Sequence, residues 1–288
     1  MRTLIGVAIP ATAFVLLVAV GVDLTTADFV RVRQQRGLVL AGLFAPLVLL
    51  PPIAVMLAHA LASPRDVMVG VLVLAACPIG TVSNLYSFLA GASNAIAVTL
   101  TGLSCLLAAA TIPLAGRAIE FVFGIPLEID APVSVLAAQL LVVLALPVVL
   151  GMAARHWTPA LAFRAAPTLR QLAIIGTVIM LTLIVIDDWG AFVSGLSSTV
   201  PLAAAFVAAS FAAGWITAMP FSPSRGDRFA VAAEFGARNI GVATAIAVTI
   251  LGRVEFARFT ATYSFVELPL MLGAVALFRA RTARTEPV

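Results

Sequence analysis

The stretch EFGARNIGVA (234–243) places a glutamate, an arginine and an asparagine within six residues of an otherwise apolar run, FAVAAEFGARNIGVATAIAVTIL. A charged side chain at the bilayer centre costs about 2.5–3.5 kcal/mol even on the gentler insertion scales. Glu234 and Arg238 are therefore expected to face protein or a wet cavity. A second apolar run, VMVGVLVLAACPIGTVSNLYSFLA, is interrupted at Pro78 and Gly80 and then supplies Thr81, Ser83 and Asn84. Pro78 lacks an N–H and its ring crowds the carbonyl four residues back, and with Gly80 following, a break is expected there. The other run is expected to break at Glu234-Phe235-Gly236, with Asn239 and Gly241 just beyond. Two interrupted helices bring freed carbonyls, which suit a cation, and half-helix N-termini, which suit an anion.

The elements that must hold these residues are membrane helices. The chain has 288 residues, 62% hydrophobic and only 10% charged, with a mean hydropathy of +1.14. Soluble domains carry about 25% charged residues, so an all-α polytopic membrane protein is expected. Runs of about 20 apolar residues occur near 4–22, 38–61, 67–90, 95–115, 133–153, 171–187, 199–219, 229–251 and 257–278, which predicts nine spans in one domain covering 1–288. The first run is too long for a signal-peptide core.

All the basic residues are Arg, and they sort by side. Arg31, Arg33, Arg36, Arg155, Arg164, Arg170, Arg225, Arg228, Arg279, Arg281 and Arg284 share one side. Arg2, Arg65, Arg117, Arg253 and Arg258 share the other, with Asp66, Glu120, Glu128, Asp130, Asp187, Asp188 and Glu255. The positive-inside rule then predicts an outside N-terminus and a cytoplasmic C-terminus in a cell membrane. The basic balance is a topological signal and not one for nucleic acid.

Several residues have bland readings. Cys77 and Cys105 lie in apolar runs and read as buried thiols, His59 and His156 as interfacial, and Asp187-Asp188-Trp189 as an outer boundary with an aromatic anchor. Asp23, Asp28 and the arginines 31, 33 and 36 read as a solvated loop. No HExxH, GxSxG or His–Asp array occurs, so an enzyme is not expected. A receptor or sensor for the same anion is the rival of another class.

CPIGTVSN (77–84), AIAVTLTGLS (95–104), EFGARNIG (234–241) and VGVDLTTADF (20–29) resemble the bile acid:sodium symporter family along nearly the whole chain. The resemblance implies an inverted-repeat transporter with a panel and a core domain and two crossing broken helices in the core. The first unit, about 1–116, would lack its first helix; the second would be about 132–280. It also implies alternating-access transport of a small organic anion coupled to sodium. No obligate protein partner is evident from the sequence. The family's first sodium site would map onto Ser83, Asn84, Thr101 and Glu234, with Ala97 replacing one further hydroxyl. Substrate contacts would map onto Thr81 and Asn239.

The family's second sodium site uses two Gln side chains, and here those positions are Arg238 and Pro46, five residues before Pro51. An Arg has no acceptor and stays charged, so it cannot ligate sodium. Arg238 is expected to stand in for the second cation, neutralising Glu234 and Glu267 or clamping a substrate carboxylate. Glu267, in TYSFVELPLML, joins the expected substrate site. One sodium ion or a coupling proton on Glu267 would then replace the usual pair of sodium ions. An uncoupled anion carrier is a further alternative. Cys77 beside Pro78 admits an arsenite-permease-like reading, which GTVSN and E-x-G-x-x-N fit less well.

Overall fold

The computed structural model describes residues 2–125, 133–222 and 224–283. Glu128, Asp130 and Arg284, used in the charge sorting, lie outside them. The described chain is all-α. Its helices are α1 (Arg2–Asp23), α2 (Thr26–Gln34), α3 (Arg36–Ala60), α4 (Arg65–Ala76), α5 (Val82–Ala90), α6 (Asn94–Phe123), α7 (Val133–Leu140), α8 (Leu146–Trp157), α9 (Pro159–Asp187), α10 (Trp189–Ala218), α11 (Arg225–Gly236), α12 (Ile240–Ala245) and α13 (Val254–Ala283). A π-helical turn, Leu141–Ala145, joins α7 to α8, and another, Ile246–Ile250, extends α12.

Six described helical stretches are long and apolar enough to cross a membrane: α3, α6, Ala137–Trp157, α9, α10 and α13. A seventh crossing follows if α1 is counted with α2, from which it bends by 72°. The shortfall from nine has a physical cause. The runs at 67–90 and 229–251 are cut into pieces, each shorter than the roughly 20 residues a crossing needs.

The connections expected at 23–37 and 154–170 are largely helical, the first of them as α2. Only Thr158 separates α8 from α9, so the basic segment 154–170 is mostly helix. Asp188 caps α10, its side chain accepting from Ala191 N at 3.0 Å. Asp28 is not a solvated loop residue either, being 4% exposed. It accepts from Thr25 N and Oγ1 at 2.8 Å, and from Thr99 and Arg31 at 2.9 Å. A carboxylate so fully supplied with donors can be buried, and it docks α2 on the start of α6. His59 and His156 are exposed.

α1, α8 and α9 pack on one another. The first two touch through backbone, because a Cβ on Gly151 would lie 2.3 Å from the Val18 carbonyl oxygen. Small residues permit such close approach between membrane helices. The remaining long helices gather around the interrupted ones. α10 lies along α11, α13 and α3, and α5 is held by α11, α6 and α13. α1 also meets α12 and α6.

Candidate functional site

The first break is local chemistry. α4 stops at Ala76, and Cys77, which precedes Pro78, is extended at φ −70°, ψ 158°, as a residue before proline prefers. The chain becomes helical again at Val82. The second break has no proline. Its glycines are helical, Gly236 closing α11 and Gly241 lying in α12, so the interruption falls between them at Ala237–Asn239. Asn239 restarts the helix: its Oδ1 accepts from Val242 N at 3.0 Å, and Asn is a favoured N-cap.

The two breaks meet. Ile79 and Arg238 form an antiparallel bridge, in which Gly80 N donates to Ala237 O and Asn239 N to Pro78 O, both at 2.9 Å. Backbone groups freed inside an apolar environment must find partners, and these supply each other. A Cβ on Gly80 would sit 2.6 Å from the Arg238 carbonyl oxygen. Glycine is required there for close approach and not for an unusual φ.

Beside the bridge, Ser83, Asn84, Thr101 and Glu234 come together. Thr101 Oγ1 donates to Glu234 Oε2 at 2.8 Å, reaches Asn84 Oδ1 at 3.3 Å, and lies 3.4 Å from Ser83 Oγ. Ser83 Oγ donates to Gly80 O at 2.7 Å. Glu234 is fully buried, and its Oε1 has no hydrogen-bond partner. A single carboxylate among hydroxyl and amide oxygens suits a hard alkali cation, and the orphaned Oε1 is where one would be held. Ala97, one turn before Thr101, is buried and offers no side-chain oxygen.

Arg238 is 2% exposed and makes no ion pair, although Glu234 is within electrostatic reach. The expected neutralisation with Glu234 and Glu267 through direct pairs is not what the side chain does. Its Nη2 donates to the carbonyls of Cys77 and, at 3.4 Å, Ala75. These carbonyls are at the C-terminal end of α4, which carries partial negative charge and favours cations. Nε and Nη1 have no partner. Arg238 and Pro46 line one narrow cleft with Ser104 and Thr111, with room for about one water molecule. The two residues that replace the second-site ligands are thus neighbours. A wider groove of about 600 Å³ runs along α7 and the following turn, lined by Ser134, Val135, Ala138, Gln139, Val142 and Val143, and none of the residues singled out above lines it.

The other expected substrate residues are less united. Asn239 is buried with Nδ2 unpartnered, its oxygen already committed as the cap. Thr81 precedes α5, partly exposed, without a cap bond from its side chain. Glu267 is buried on α13 and makes no hydrogen bond or ion pair with Glu234, Arg238 or Asn239. It faces Tyr86 of α5.

The sequence reading passed over both tyrosines of the chain. Tyr86 and Tyr263 are each fully buried, and Tyr263 donates to the Gly236 carbonyl at the end of α11. Tyrosines of membrane proteins concentrate at the interfaces, so both falling inside apolar runs was a usable signal. Ser104 was also missed: it accepts from Ile79 N at 3.1 Å and donates to Thr101 O at 2.9 Å, tying the first break to α6.

This fold and site define a class, a multi-pass all-α membrane protein built around two interrupted helices that bond to each other. The model of the sodium bile acid symporter family matches residues 10–194, and the chain belongs to that family of membrane transporters. Over 100 residues it is 34% identical to an uncharacterized sodium-dependent transporter, YocS, of Bacillus subtilis (strain 168). That match covers 35% of this chain and 31% of the relative, so the chain spans about a third of the curated relative's length.

Proposed function

We propose that the protein is a secondary transporter that moves a small organic anion by alternating access, coupled to one alkali cation held by Ser83, Asn84, Thr101 and Glu234. In this reading each interrupted helix pair is one crossing, for nine spans in two units with the N-terminus outside. In that reading α1, α8 and α9 are the panel, against which the remaining helices rock. The observation that carries the proposal is the mutual hydrogen bonding of the two breaks, which puts freed polar groups from both halves of the chain in one place. Thr81, the Asn239 amide and the N-terminal ends of α5 and α12 would receive the anion.

Arg238 takes the part of a second cation. Its guanidinium is bonded to the carbonyls of Ala75 and Cys77, and Pro46 beside it offers no ligand. A tethered charge at that place removes the need for a second sodium ion. The name of the relative from Bacillus subtilis supports sodium as the coupling ion at the remaining site.

The test is sodium-dependent thermal stabilisation of the purified protein, with choline as the control cation. A hyperbolic, one-site sodium dependence is expected. Sigmoidal two-site dependence would overturn the role given to Arg238, and no sodium effect would overturn the cation site. Arg238→Gln combined with Pro46→Gln should introduce a second, cooperative sodium site. Flux of labelled carboxylates into proteoliposomes separates a transporter from a receptor with the same site.

A further inference from the structure

Glu267 is a buried acid that the cation site does not use. It is 2% exposed, Oε1 has no hydrogen-bond partner, and no ion pair joins it to a basic side chain among the described residues. α13 packs against α4, α5, α9, α10, α11 and α12. Of these, α5 brings Tyr86, which faces Glu267 and whose Oη is also without a partner. α13 itself brings Tyr263, whose hydroxyl is given to the Gly236 carbonyl. Arg238, in the second break, reaches Tyr263 with its charge, but its guanidinium is turned to the end of α4. Glu234 of α11 is turned to Thr101. α4, α9, α10 and α12 bring no ionisable group to Glu267.

The charges around the breaks then limit what can bind. Glu234, Arg238 and Glu267 are the buried residues there that ordinarily carry charge. With Glu267 ionised, a cation beside Glu234 makes the set neutral, and an entering anion leaves one negative charge uncompensated in a dry interior. With Glu267 carrying a proton, the cation-loaded set has one positive charge, which a monovalent anion neutralises. A neutral carboxyl needs only a hydrogen-bond partner, and the Tyr86 phenol is placed to be it.

We propose that Glu267, paired with Tyr86, is a proton-binding site whose occupancy lets the cation-loaded protein accept a monovalent organic anion. The inference rests on the transporter reading for its role, though not for its chemistry. In the cation-loaded protein the site takes up one proton with the anion and releases it when the anion leaves; without a cation, Glu234 and Arg238 balance each other and Glu267 keeps its proton.

Infrared spectroscopy of the purified protein without sodium or any organic anion tests the protonation alone. A carboxylic-acid carbonyl band is expected at neutral pH, with a component lost in Glu267→Gln and shifted in frequency in Tyr86→Phe. Where Glu267→Gln fails to fold, Glu267→Asp should move the band instead. Absence of the band in the unaltered protein, or its persistence unchanged in Glu267→Gln, would overturn the proposal. The second arm uses sodium alone. Deprotonation adds a negative charge near the cation, so sodium should bind at least about threefold more tightly at alkaline than at neutral pH. Glu267→Gln should lack that increment; an equal increment in both proteins would refute the site. If sodium fails to bind at all, the cation reading falls while the infrared result still stands or falls by itself.

Discussion

Replacing Gly80 by alanine is the sharpest perturbation of the meeting between the two breaks. The added Cβ would lie 2.6 Å from the Arg238 carbonyl oxygen, 2.9 Å from its carbon and 3.3 Å from the Ala237 oxygen. Ordinary C···O contacts begin at about 3.3 Å, so the strands must part by about 0.7 Å. Both bridge hydrogen bonds, now 2.9 Å, would then stretch to about 3.6 Å, beyond a real hydrogen bond. Two buried bonds at about 1–1.5 kcal/mol each, with some overpacking strain, give a loss of about 2–4 kcal/mol. Two controls separate the causes. Gly236→Ala meets only the Met271 sulfur at 3.2 Å and the Phe211 Cβ at 3.6 Å, and a flexible methionine can yield, so the cost is expected below about 1 kcal/mol. Gly91 has φ +65° with open space around it; alanine there should cost about 1 kcal/mol through the backbone and leave sodium stabilisation intact. Thermal and denaturant unfolding in detergent, each with and without sodium, gives the comparison. A Gly80→Ala protein within about 0.5 kcal/mol of the original, the usual range of a neutral surface change, would refute the reasoning.

Thr101→Val keeps the shape but removes the donor to Glu234 Oε2; a hydrogen bond to a charged group is worth about 1.5–3 kcal/mol, so sodium affinity, read by thermal shift, should fall tenfold or more. Tyr263→Phe leaves the Gly236 carbonyl unpaired at the end of α11 and should lower unfolding free energy by about 1–3 kcal/mol, with no change in the number of sodium sites. Arg170→Ala removes an ion pair with Asp23 in which Arg170 is 56% exposed. Solvent screening makes such pairs worth about 0–1 kcal/mol, so melting at high and low salt should barely differ from the parent.

The sequence made the breaks legible because their causes are local. Pro78 with Gly80 two residues on weakens a helix locally, and Glu234 with Arg238 is too costly for lipid. The four oxygen-bearing residues around Thr101 were also nameable, but through resemblance to known relatives and not through any periodicity. What could not be read was direction. Whether Arg238 turns to a carboxylate or to the end of α4 depends on which carbonyls α4 leaves free beside it, a contact across 161 residues. The same holds for Asn239, whose amide could line a site or cap a helix until the φ, ψ of its neighbours is known. Asp28 was misread because its donors come from two elements, α2 itself and Thr99 of α6. The loops at 23–37 and 154–170 were misread because helix, unlike membrane span, does not stop where apolar character stops.

The bond from Arg238 to Cys77 also sets an order of events in biogenesis. When α4 and α5 first leave the ribosome and enter the lipid, the guanidinium that will quiet the exposed end of α4 is 161 residues away and not yet made. Until then the half-finished chain must keep that end wet or shielded by the insertion machinery. A nascent chain stalled before the last third is released should therefore be a client for membrane chaperones and proteases, however complete its earlier helices.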